Sequence, residues 1–130
     1  MSAKVYNCPV EATIDVIGGK WKPMILWWLH QGTYRFAELR RLIPNVTEKV
    51  LTQQLRELEA DGIVDRTIYP TVPPKVEYSL TVYGKSLDEA LKAICDWGRT
   101  HMQRIGAIEA PLNNLHKSKG AQSGVQKQRA

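Results

Sequence analysis

The sequence predicts a mainly α fold with a small β component (α+β), in which helices precede a β-hairpin and a longer helix follows it. Three observations support this fold class. Apolar residues recur at helical spacing up to residue 58, the periodicity changes to two after Asp61-Gly62, and helical spacing returns after residue 81. Elements in this order form a winged helix-turn-helix, with a two-stranded β-wing and a long C-terminal dimerisation helix.

Length and composition indicate one globular domain. The 130 residues are 43% apolar and 24% charged, which is ordinary for a soluble protein. The longest apolar run covers residues 24–29, whereas a membrane span needs roughly 20 residues, and the N-terminus lacks a secretory core. We therefore expect a cytoplasmic protein without membrane contact. We predict a winged-helix domain over residues 1–106 and a basic, disordered tail over residues 107–130.

The basic charge is concentrated in this tail. The formal net charge is +5 and the pI is near 9.3, but the tail has four basic residues against one acidic residue. The body therefore keeps only +2 of the +5. Net charge alone thus does not identify a nucleic-acid partner, and the arrangement of polar groups on one surface must decide.

Two helices are predicted at the start of the chain. Pro9 opens the first, which carries Val10, Ile14 and Ile17 at helical spacing before a Gly-Gly pair ends it. The second helix is apolar on almost every side, so we expect it to form the centre of the core, with Gly32 as its cap. Its apolar residues include Trp21, Ile25, Leu26, Trp27, Trp28 and Leu29.

The next segments predict a helix-turn-helix and a hairpin. A minimal strand at "TYRF" is followed by a third helix that ends at Pro44. Thr47 is a good N-cap for the fourth helix, and Gly62 is a good stop. Residues 63–70 and 76–81 then alternate apolar and polar side chains, which predicts two strands joined by a proline-rich tip.

The fourth helix has two distinct faces. One face is a leucine stripe, and the opposite face has cations at both ends with hydrogen-bonding side chains between them, a mixture that suits contact with base edges. In a winged helix-turn-helix this helix enters the major groove, and the wing lies along the DNA backbone. The predicted DNA-binding residues are Arg35, Thr47, Lys49, Thr52, Gln53, Arg56 and Lys75.

The predicted partner is double-stranded DNA with a palindromic operator. The alternative is a winged-helix protein-interaction module that uses the same surface to bind an acidic protein. A protein interface favours aromatic anchors, and the polar face of the fourth helix has none. Enzyme motifs such as G-x-S-x-G and H-E-x-x-H are missing from the sequence, and its histidines are scattered. We therefore predict no catalysis, no metal and no cofactor.

The final helix is predicted to begin at Thr81 and to form a homodimer. Its apolar stripe has a spacing close to 3.5 and lies at the end of the chain, where little remains to cover it. A second subunit is the natural cover. The predicted interface residues are Leu87, Leu91, Ile94, Gly98, Met102 and Ile105.

Four sequence blocks resemble one known family. The blocks "CPVEATIDVIGGKW", "RFAELRRLIP", "LTQQLRELEADGIV" and "VEYSLTVYGKSL" occur in this order, and together they resemble the HxlR-type winged helix-turn-helix transcriptional regulators, which act as dimers. The resemblance covers Cys8 to about Ile105. It implies a sequence-specific DNA-binding repressor or activator. It also implies that Cys8, which matches the family's N-terminal cysteine, is a thiol that senses oxidants or an electrophilic inducer.

The residues around each cysteine bear on its role. Cys8 precedes Pro9 at a helix start, where the helix dipole favours a thiolate. On sequence alone, a partly buried thiol without a role is nearly as well supported, and the resemblance favours the sensing role. Cys95 lies at the edge of the final helix's stripe, where a free cysteine is commonly a small buried apolar residue.

Overall fold

The computed structural model describes residues 3–110, which form six helices and one antiparallel sheet. This order confirms the predicted winged helix-turn-helix. The elements are α1 (Pro9–Ile17), α2 (Lys22–Gln31), α3 (Phe36–Leu42), α4 (Glu48–Ala60), β1 (Val64–Tyr69), β2 (Lys75–Leu80), α5 (Val82–Lys85) and α6 (Asp88–Ile105). Most of the tail predicted for residues 107–130 lies outside the described residues.

Helix α2 forms the centre of the core, as predicted. Ile25 and Leu26 are completely buried, and the helix contacts α3, α4, α6 and β2. Pro23 lies in the first turn, where its missing N–H has no helical partner to lose. The helix ends before Gly32. Because α2 touches most other elements, their relative positions depend on its packing.

Helix α1 forms as predicted but buries little of its apolar face. Ile17 lies in the core, whereas Val10 is 63% exposed and Ile14 is also exposed. The N-terminal segment is held against this helix through Asp15, which accepts hydrogen bonds from Lys4 Nζ at 2.7 Å and from Tyr6 Oη at 2.6 Å. An apolar surface on α1 is therefore left uncovered within the subunit.

The helix-turn-helix consists of α3, a short turn and α4. Ile43 and Val46 are buried in the turn, between them Asn45 adopts a left-handed φ of 76°, and Pro44 follows the last turn of α3. Thr47 caps α4, because its Oγ1 accepts a hydrogen bond from the Val50 N–H at 3.1 Å. The "TYRF" segment forms only a single bridge, Tyr34 to Tyr78, rather than a full strand.

The wing is a hairpin that is anchored at its base. Val64 pairs with Leu80 at the base and Tyr69 pairs with Lys75 near the tip. Only the base pair is buried, and the remaining positions of β1 are exposed. The hairpin forms as the alternating pattern predicted, but the burial of β1 does not alternate, because the wing projects from the body.

The prediction that Thr81 caps the long C-terminal helix is wrong. Thr81 caps the four-residue α5 instead, and its Oγ1 also donates to the Gly62 carbonyl at 2.6 Å. A Cβ atom on Gly84 would lie 2.1 Å from the Ile63 carbonyl oxygen, so α5 is pressed against the base of the wing. The chain then forms a turn at Leu87, whose N–H donates to the Gly84 carbonyl at 3.1 Å, before α6 begins at Asp88.

The residues of the apolar stripe predicted on the final helix lie in two different environments. Leu91 is 4% exposed in the core of its own subunit and has little surface left to offer a partner, so its place in a dimer interface stays a prediction. Leu87 packs against that core, and Gly98 and Met102 are half-buried. Ile94 is 53% exposed, and Trp97 and Ile105 are also exposed. Apolar spacing predicts one continuous surface, whereas in the structure Leu91 packs inside the subunit and the residues after it are more exposed.

Candidate nucleic-acid interface

The outward face of α4 collects four of the predicted DNA-binding residues. Leu51, Leu55 and Leu58 are buried against the core, which turns the opposite side of the helix to the solvent. This side forms an open depression on the protein surface. Its lining residues are Glu48, Lys49, Thr52, Gln53 and Arg56.

Two threonines on α4 have hydrogen bonds that determine what they can offer a ligand. The Thr52 hydroxyl donates to the Glu48 carbonyl at 2.8 Å, so it presents acceptor lone pairs. The Thr47 oxygen accepts from the Val50 N–H, so its own hydroxyl hydrogen is available as a donor at the N-terminus of the helix. Thr52 therefore suits a donor on a base edge, and Thr47 suits an anionic oxygen.

Arg35 and Lys75 lie outside the depression. Arg35 is the exposed N-cap residue of α3, and its backbone N–H donates to Glu38 Oε1 at 2.8 Å. Lys75 begins β2, with its Nζ 3.3 Å from Glu77 Oε2 and 4.9 Å from the centre of the Tyr69 ring. Both are cations outside the depression, where contact with backbone phosphates suits them better than contact with base edges.

A buried lysine behind α4 was not anticipated. Lys22 is 7% exposed, and its Nζ lies 2.6 Å from Glu57 Oε1. The second carboxylate oxygen, Oε2, accepts a hydrogen bond from Gln53 Nε2 at 3.2 Å. The hydrogen bond from Lys22, followed by that from Gln53, lowers the pKa of Glu57. The ion pair thus connects the start of α2 with the outward face of α4.

The two cysteines lie in different surroundings. Cys8 is exposed at the N-cap of α1, and its carbonyl oxygen accepts from the Glu11 N–H at 3.1 Å. Cys95 is half-buried on α6, and burial raises the pKa of its thiol. Cys8 is the more accessible of the two thiols. Because oxidants and electrophiles react with accessible thiolates, Cys8 is the better candidate for such a reaction.

The part of the chain that the structure describes has neither a cluster of metal ligands nor a membrane-spanning helix. Within residues 3–110, no three His, Cys, Asp or Glu side chains are grouped so that they could hold a metal ion. In the same range, every helix is too short or too polar to span a bilayer.

The helix-turn-helix, the wing and the polar outward face of α4 define a winged helix-turn-helix protein. Residues 16–106 match the model of the HxlR-like helix-turn-helix family. The chain belongs to this family, as its four sequence blocks predicted, and it is a transcriptional regulator of the helix-turn-helix type.

Individual relatives agree with this assignment. The HTH-type transcriptional regulator YtcD of Bacillus subtilis is 57% identical over 105 residues, which are 81% of this chain and 83% of the relative. The redox regulator HypR in its oxidized form is 54% identical with a TM-score of 0.69, covering 72% of this chain and 96% of that one. Diamide-treated YodB from B. subtilis is 33% identical with a TM-score of 0.62, covering 72% and 93%.

Proposed function

We propose that this protein binds double-stranded DNA as a homodimer and places one α4 in the major groove of each half-site of a palindromic operator. The observation that carries the proposal is the outward face of α4, where Lys49 and Arg56 flank Thr52 and Gln53 on the side opposite the buried leucines. Major-groove recognition needs directional donors and acceptors together with positive charge. With DNA as its ligand, the protein acts in the cytoplasm at the nucleoid.

The residues divide into two roles in this complex. Gln53 and Thr52 contact base edges, and Gln53 carries both the donor and the acceptor that pair with adenine. Backbone phosphates are bound by the cations and by the cap hydroxyl, which lie around the rim of the interface. The predicted phosphate contacts are Arg35, Thr47, Lys49, Arg56 and Lys75.

The second subunit covers the exposed apolar face of α6 together with that of α1. Ile94 and Ile105 on α6 are exposed, as are Val10 and Ile14 on α1. Exposed apolar side chains on the first and last helices suit a self-complementary interface. Leu87, Gly98 and Met102 border this face. Such a dimer holds its two recognition helices at one fixed separation.

Selection from a random DNA pool at a fixed salt concentration tests this function. We expect a palindromic consensus with half-sites about 10 base pairs apart, centre to centre. Gln53→Ala should lose preference at one base pair in each half-site, at a cost of about 1–3 kcal/mol on the preferred site. Enrichment of no sequence would contradict sequence-specific binding, and a consensus without symmetry would contradict the dimeric arrangement.

We further propose that oxidants or thiol-reactive inducers release the protein from DNA by modifying Cys8. The thiol is exposed at the start of α1, which also carries Val10 and Ile14 of the proposed interface. A redox regulator, HypR, is 54% identical to this chain. With oxidised glutathione, the Cys8 thiolate attacks one sulfur, a mixed disulfide forms and glutathione thiolate leaves. The adduct, or a disulfide with a thiol of the other subunit, tilts the two recognition helices away from their half-sites.

A comparison of two cysteine variants tests the switch. Diamide or oxidised glutathione should release the wild-type protein from its operator, and a thiol reductant should restore binding. Cys8→Ser should bind the operator and ignore the oxidant, whereas Cys95→Ser should respond as the wild type does. If only Cys95→Ser lost the response, the sensor would be on α6. If Cys8→Ser responded normally, Cys8 would have no sensing role.

A further inference from the structure

The side chain of Gln53 is held at one end by the protein. Its Nε2 donates to Glu57 Oε2 across one helical turn, at 3.2 Å, and Glu57 is in turn fixed by Lys22 Nζ at 2.6 Å on the other oxygen. Lys22 is itself buried at the first turn of α2. The amide is thus connected through a carboxylate to a lysine that cannot move freely.

The bond to Glu57 determines which hydrogen-bonding groups of the Gln53 amide stay available to a ligand. An amide nitrogen has two N–H groups and the carbonyl oxygen has two lone pairs. One N–H is used by Glu57, and among the described residues no protein group donates to Gln53 Oε1. One N–H and one carbonyl oxygen are therefore left for a ligand, on the exposed side of α4.

We propose that Glu57, held by Lys22, is a positioning residue for base recognition, which orients the Gln53 amide so that one donor and one acceptor face adenine. Adenine offers N7 as an acceptor and N6 as a donor in the major groove, which matches the free edge of the amide. The inference rests on the proposed function and deepens it. Lys22 and Glu57 determine specificity without contacting a base.

The arrangement also limits which bases are accepted. Guanine presents two acceptors, N7 and O6, in the major groove. An amide whose nitrogen is held by a carboxylate cannot turn both N–H groups toward guanine without breaking the bond to Glu57. A carboxylate at this position therefore favours adenine and disfavours guanine.

Glu57→Gln changes this preference while preserving the size of the side chain. Lys22 offers only donors, so the introduced amide turns its carbonyl oxygen toward Lys22 and its NH₂ toward Gln53. The Gln53 amide then flips to accept that N–H, and its own NH₂ faces the groove. We expect the adenine preference at this position to fall about three- to tenfold, with a gain for guanine.

Binding competitions with wild-type and variant DNA sites measure this preference. Glu59→Gln is the matched control, because it removes the same charge from an exposed position of α4 and should leave the preference unchanged. In a Gln53→Ala background, Glu57→Gln should have no further effect on base preference. A purely structural role for the ion pair would instead weaken binding to all four bases alike, and that result would overturn the inference.

A second variant removes the ion pair without leaving a buried charge. Lys22→Met combined with Glu57→Ala frees the Gln53 amide, so the adenine preference should fall about three- to tenfold. Guanine should gain less than in Glu57→Gln, because the freed amide is not held with its NH₂ toward the groove. Adenine preference at the wild-type level in either variant would overturn the inference. If the wild-type protein selected no consensus, the proposed function would fail with it; if it selected one and the variants matched it, only the inference would fail.

Discussion

Thr47 shows how a single side chain can stabilise the start of a helix. Its Oγ1 accepts the Val50 N–H, which satisfies one of the free donors at the start of α4. Thr47→Ala should therefore lower the free energy of unfolding by about 1 kcal/mol. Thr47→Ser keeps the acceptor and should stay close to the wild type. Urea titrations of the three proteins measure the difference, and equal stability of the alanine variant would contradict the cap.

The Lys22–Glu57 ion pair is an example of a contact that residue spacing within one helix does not predict. The periodicity of α4 correctly separated the buried leucines from the outward polar face, so Lys49, Thr52, Gln53 and Arg56 could be grouped in advance. A lysine is almost always exposed, and nothing in the spacing of Lys22 sets it apart. Its burial results from contact between α2 and α4, which are distant in sequence. The chain of contacts from Gln53 through Glu57 to Lys22 therefore cannot be predicted from the sequence pattern and requires the structure.

At the scale of elements, two substitutions on α6 should distinguish an effect on folding from an effect on dimerisation. Ile94→Glu places a charge on an exposed position and should leave the subunit folded while disrupting the dimer. Leu91→Glu places the charge in the core and should unfold the subunit, because an unpaired buried carboxylate is strongly destabilising. Light scattering and circular dichroism measure the two effects. A folded, dimeric Ile94→Glu variant would place the interface elsewhere.

The same helix marks the limit of periodicity as a predictor. Apolar spacing identified α6 and its stripe, but it does not distinguish cover by the same subunit from cover by a second one. Leu91 is covered by its own subunit, whereas Val10 and Ile14, which recur at the same helical spacing as the buried Ile17, are exposed. The break at Leu87 was missed because both α5 and α6 are helical. It depends on contact between Gly84 and Ile63, which spacing does not encode.

At the scale of the molecule, the DNA-binding body and the basic tail should be separable. Residues 107–110, which the structure describes, have no regular secondary structure and are exposed. Truncation after Gly106 should preserve the dimer and the selected consensus. It should weaken binding at low salt, because the removed segment carries net +3. Binding assays at two salt concentrations measure this effect, and a changed consensus would assign the tail a role in sequence recognition.

Helix α2 contacts both α4 and α6 and therefore links the proposed recognition helix mechanically to the final helix. Its central side chains are fully buried, and a close-packed interior passes a displacement on to its neighbours with little compression. In a dimer, a tilt of α6 against its partner would be transmitted through α2 to the recognition helix. The displacement would be larger the farther α4 lies from the axis of that tilt. In the switch proposed for Cys8, a group as small as a thiol adduct would move α4 out of the groove by this route.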